Sequence, residues 1–84
     1  MTKRIERVQT GVRLEKRIVK VLKGTAEALD MSLGELLEGI CLHAFEGKTP
    51  FEDTTLRRIA KLREVYRLDL TAADSHGLSE QPGG

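Results

Sequence analysis

The residues of strongest chemical character in this chain are cationic, and they are crowded at one end. The first 23 residues carry Lys3, Arg4, Arg7, Arg13, Lys16, Arg17, Lys20 and Lys23 against Glu6 and Glu15, eight against two, for a net of +6. Residues 24–49 carry Lys48 against Glu27, Asp30, Glu35, Glu38 and Glu46, a net of −4, so the whole-chain charge of +1 conceals a strong asymmetry. The chemistry open to such a cluster is attraction of phosphates, although a charge run is also what an ordinary solvated face looks like. Covalent and acid–base chemistry lack their parts. Cys41 is the sole cysteine, which rules out an intrachain disulfide, and with His43 and His76 it leaves too few ligands for a structural zinc. Cys41 falls in an apolar stripe and reads as a small buried hydrophobe, and His43 beside it as a partly exposed helix residue. No nucleophile, His and acid arrangement, phosphate-binding glycine loop or paired-carboxylate cleft follows from the spacings, so no enzyme, cofactor or metal is expected.

The element that must carry the basic cluster is Arg7-Val8-Gln9-Thr10-Gly11-Val12-Arg13-Leu14, the only stretch whose polarity alternates with period two. It reads as one short β-strand, with Val8, Thr10, Val12 and Leu14 on one face and Arg7, Gln9, Gly11 and Arg13 on the other. No second run of this kind follows. A lone strand cannot satisfy its own N–H and C=O groups. Its complement is therefore expected from an identical chain, paired antiparallel across a two-fold axis. The small size of an 84-residue chain with two Phe, one Tyr and no Trp points the same way, because oligomerisation adds buried area.

Two helices should follow. From Glu15 to Leu29 the apolar positions Ile18, Val21, Leu22, Thr25, Ala26 and Leu29 keep helical spacing, with Gly24 a local weak point. After the connector Asp30-Met31, Ser32-Leu33-Gly34-Glu35 is a capping box that starts a second helix from about Leu33 to Phe45. Its stripe is Leu33, Leu36, Leu37, Ile40, Cys41, Ala44 and Phe45, with Gly39 suited to a close helix crossing. Gly47 and Pro50 then end it.

Strand, helix, Ser-capped turn and helix, in that order from Arg7 to Phe45, resemble the ribbon-helix-helix family of bacterial and phage DNA-binding repressors. The resemblance implies a mainly α homodimer with one short intermolecular antiparallel β-ribbon lying in the DNA major groove. By residue, it implies base contacts from Gln9, Gly11 and Arg13. Arginine can fork onto O6 and N7 of guanine, and glutamine onto N6 and N7 of adenine. Phosphate contacts would come from Arg7, Lys16, Arg17, Lys20 and the helix start at Ser32 and Leu33, where unpaired amides favour anions. The dimer core would comprise Val12, Leu14, Ile18, Leu22, Leu33, Leu36, Leu37, Ile40 and Cys41. Two positions depart from the family pattern. Gly11 stands where a reading side chain is usual, and Glu15 stands where Pro, Ser or Asp often opens the first helix.

Residues 1–6 read as a mobile arm and residues 7–47 as the DNA-binding and dimerisation domain. Residues 50–68 read as a third, C-terminal amphipathic helix, capped by Asp53 or Thr54, with Leu56, Ile59, Ala60, Arg63 and Tyr66 on one side. That helix could cover its own dimer or dock a protein partner. Residues 69–84, rich in Ala, Ser, Asp, Gly and Pro, are expected to be disordered. With no apolar run of signal-peptide or membrane-span length, the chain is expected to be cytoplasmic, without a membrane partner. The reading is a sequence-specific, repressor-like transcriptional regulator that binds double-stranded DNA as a homodimer. Two alternatives stay open: an antitoxin-type DNA-binding protein with a partner-binding C-terminal helix, and a dimeric protein-binding adaptor that does not bind DNA.

Overall fold

The computed structural model describes residues 2–81; Met1 of the N-terminal arm and residues 82–84 of the C-terminal tail lie outside the described residues. The chain is a small, mainly α-helical domain of three helices, α1 (Lys16–Ala28), α2 (Leu33–Phe45) and α3 (Asp53–Val65). Each helix ends in the same way. A residue in the left-handed region follows the cap: Asp30 at φ 56°, Gly47 at φ 70° and Arg67 at φ 56°. The next amide then reaches back to the helix, from Met31 to Ala26 O, Lys48 to His43 O and Leu68 to Arg63 O, at 2.8–3.0 Å. These are Schellman closures, which satisfy carbonyls that a helix end otherwise leaves unpaired. Only Gly47 advertised its closure by residue type.

α1 is the central helix. It packs against both α2 and α3, while α2 and α3 do not pack on each other. Its Val21, Thr25 and Ala26 are buried together with Leu36 of α2, which is only 3% exposed. The buried Thr25 hydroxyl is satisfied by donating to Val21 O at 2.8 Å. Gly24 explains how α3 comes so close. A Cβ built there would lie 3.0 Å from Leu62 Cδ2, so the missing side chain is the seat of Leu62. The close crossing is therefore at Gly24 and not at Gly39, where an added Cβ would meet nothing within 4 Å.

Because α3 covers α1 and leaves α2 alone, the stripe of α2 is covered on one side only. Leu33, Leu37 and Ile40 are half-buried, as are Ile18 and Leu22 of α1. Cys41, expected in a buried stripe, is exposed. Val12 and Leu14, also expected in a core, are exposed within the single chain. Residues 7–14 form no regular secondary structure among the described residues, and every one of them is exposed. A β-ladder is defined by hydrogen bonds to a neighbouring strand, and no second strand is present here.

Two smaller corrections concern the C-terminal half. The cap of α3 is Glu52, not Asp53 or Thr54, and its side chain makes no capping bond. The segment expected to be disordered contains a 3-10 turn at Ala72–Asp74, closed where Thr71 N–H donates to Asp74 Oδ2 at 2.8 Å. Its residues from Thr71 to Gln81 are all exposed.

Candidate nucleic-acid interface

The geometry of the candidate interface is set by three arginines, each already engaged by a carboxylate of the same chain. Arg7 holds Glu38 of α2 in a two-bond fork, Nε to Oε2 at 2.8 Å and Nη2 to Oε1 at 3.0 Å. This hydrogen bond, reinforced by the charge of Arg7, keeps the Glu38 carboxyl below its ordinary pKa. Arg13 holds Glu80 of the C-terminal tail in a fork of the same kind, through Nε to Oε1 at 3.2 Å and Nη2 to Oε2. Gln9 and Gly11 lie between these two anchors, exposed, with open space around the Gly11 Cα.

Arg17 has a different position from the one expected of a phosphate contact. Its Nε faces the Glu15 carboxylate at 3.2 Å, and its Nη1 donates to Arg67 O at 3.0 Å and to Asp69 Oδ1 at 3.1 Å. The guanidinium thus ties the start of α1 to the segment after α3. Glu15 in turn is the N-cap of α1, accepting from the amides of Arg17 at 2.9 Å and Ile18 at 3.2 Å. The departure from Pro, Ser or Asp is resolved physically, since the longer side chain folds back onto the same amides. Desolvation pushes the Glu15 carboxyl up in pKa, but the hydrogen bonds from Arg17 and Ile18 outweigh it and leave the group below its ordinary value.

Among the lysines, Lys16 is exposed, and Lys20 stands over the Tyr66 ring with its Nζ 5.6 Å from the centroid. That cation–π contact stitches α1 to the end of α3. At the start of α2 the capping box is complete: Glu35 N–H donates to Ser32 Oγ at 3.1 Å, and Ser32 N–H donates to Glu35 Oε1 at 3.0 Å. The bond from Ser32 N–H lowers the Glu35 pKa. The Ser32 amide is therefore occupied, and the amides a helix start leaves for an anion are those of Leu33 and Gly34.

Sequence reasoning located the cationic segment and the capping box, but it missed the cap at Glu15, the Arg17 junction and the tail carboxylate on Arg13. One signal for the last was present. The chain beyond Arg67 carries Asp69, Asp74 and Glu80 and no Lys or Arg, a charge opposite to that of the N-terminal segment. Among the described residues, no group of three or more His, Cys, Asp or Glu is placed to hold a metal ion, and no helix is long and apolar enough to cross a membrane. Comparison of the chain with protein-family models, curated proteins and solved structures found no match.

Proposed function

We propose that this chain is a sequence-specific, repressor-like transcriptional regulator that binds double-stranded DNA as a homodimer. Residues 7–14 of two copies pair as an antiparallel ribbon in the major groove, with Gln9 and Arg13 reading base edges. The observation that carries this reading is the uncovered apolar side of the alternating segment. Val8 is 81% and Val12 74% exposed, and Leu14 is exposed beside them. The outer face of α2 adds Cys41, Leu42 and Phe45, the last 81% exposed. An apolar set of this extent is what an interaction surface looks like. An identical chain would supply both the missing ladder bonds and the missing cover. Pairing would set two copies of the basic Arg7, Gln9 and Arg13 edge side by side.

The test has two arms. Selection of duplex sequences from a random pool should return a preferred site. Arg13→Ala should then weaken that site by about 1 to 3 kcal/mol per lost base contact and reduce the preference over random DNA. Lys16→Ala should weaken all sequences alike and flatten the salt dependence. Lys16 is the cleaner control, because Lys20 also touches Tyr66. Identical behaviour of the two variants on selected and random DNA would rule out ribbon reading. In the second arm, Val12→Asp should abolish dimerisation.

One observation favours a second reading, the dimeric adaptor that does not bind DNA. Arg7 and Arg13 are each already paired with a carboxylate of their own chain. An adaptor would show no salt-dependent affinity for duplex DNA, which separates the two readings directly.

A further inference from the structure

The chain beyond α3 follows a course fixed by arginines. Arg63 donates from Nη2 to Leu70 O at 2.8 Å and from Nε to Leu68 O at 3.3 Å. Arg17 takes Arg67 O and Asp69 Oδ1. After the turn at Ala72–Asp74 the segment arrives at Arg13, where Glu80 closes the fork. The first two anchors hold backbone carbonyls and are integral to the helix ends. The third joins two exposed side chains, 83% and 69% accessible, and is held by charge and the fork alone.

We propose that the C-terminal tail is an intramolecular competitor of DNA, its Glu80 carboxylate occupying the Arg13 guanidinium that the proposed ribbon uses to read a base; the inference rests on that reading. Arginine presents the same pair of parallel N–H donors to a carboxylate as to the O6 and N7 edge of guanine. Arg13 cannot present that edge to both at once. Tethering keeps the competing carboxylate at an effective concentration on the order of millimolar, so DNA must displace it at every encounter. An exposed ion pair is a weak lock. The expected penalty on DNA binding is a factor of about 2 to 5, and screening by salt reduces it. The tail therefore tunes affinity, disfavouring sites that offer Arg13 only a phosphate, while a site that offers the full base edge displaces it.

Glu80→Gln removes the charge from an exposed residue and leaves the helices untouched. Duplex affinity at low salt is measured for the full-length chain, Glu80→Gln, Arg13→Ala and the double variant, on random and selected DNA. The NMR resonance of the Arg13 Nε–H group is followed without DNA. Glu80→Gln should shift that resonance and tighten duplex binding by about 2- to 5-fold, a gain that vanishes in the Arg13→Ala background. If the original chain binds DNA and Glu80→Gln leaves its affinity unchanged, the tail is no competitor while the DNA reading stands. If the resonance shifts but no form binds any duplex, the DNA reading falls and the competition falls with it.

Discussion

α1 and α2 are both 13-residue helices with an apolar stripe, yet the chain treats them differently. α1 is covered from two sides and buries Val21, Thr25 and Ala26, whereas α2, richer in leucine and isoleucine, buries only Leu36. The difference lies in where a side chain is missing on a face that another helix can reach. Gly24 admits Leu62 and brings α3 onto α1; Gly39 is approached by nothing within the chain. Apolar content makes a helix capable of burial, but the crossing geometry decides which helix is covered. The uncovered face of α2 and the uncovered side of residues 7–14 are the surfaces assigned above to a second copy.

The largest expected effect sharpens this contrast at its buried end. Leu36→Ala should cost about 2 to 5 kcal/mol in denaturant unfolding, since the site is closed and a cavity would remain. Phe45→Ser should act differently, through association. If a second copy covers α2, the thermal midpoint rises with protein concentration, and Phe45→Ser flattens that rise. A concentration-independent midpoint at monomeric mass would leave the α2 face with no cover from a second copy.

The glycine pair gives the next effects, opposite in sign. Gly24→Val should cost about 1 to 3 kcal/mol by overpacking against Leu62. Gly39→Ala, with open space around it, should gain up to about 1 kcal/mol from helix propensity. A loss at Gly39 would break the comparison and place a neighbouring chain against that glycine.

Capping effects are smaller. Ser32→Ala should cost about 0.5 to 2 kcal/mol by releasing the Glu35 amide. The carboxyls of Glu15, Glu35 and Glu38 all sit below their ordinary pKa in the folded chain. In an acid titration the unfolded chain therefore binds protons first, and stability falls as pH drops through the carboxylate range and recovers above it. Glu38→Gln should reduce that dependence; an unchanged acid profile would show that the Arg7–Glu38 fork does not persist in solution. His43→Ala should have the smallest effect. The ring is exposed, and its one contact is Nδ1 with Gly39 O at 2.7 Å. Unfolding should shift by no more than about 0.5 kcal/mol.

Part of the candidate site was legible from local pattern. The cationic segment, the alternation of residues 7–14 and the Ser32–Glu35 box are visible because each depends on residues a few positions apart. The engagement of Arg7, Arg13 and Arg17 was not visible, because their carboxylates lie 31, 67 and 52 residues away. Long-range pairing depends on how the helices cross and on where the tail returns.

The sequence by itself determined the three helices, the start of α2 and the Gly47 stop, because helical periodicity, caps and turns are written within a span of about four residues. Tertiary structure decided that α3 covers α1 and not α2, that Glu15 caps α1, and that Asp30 and Arg67 take left-handed conformations without being glycine. It also decided that the tail carboxylate comes to rest on Arg13. The reason is steric and electrostatic together. A missing Cβ at Gly24 fixes the crossing, and the crossing delivers the acidic C-terminal segment to the basic start of the chain.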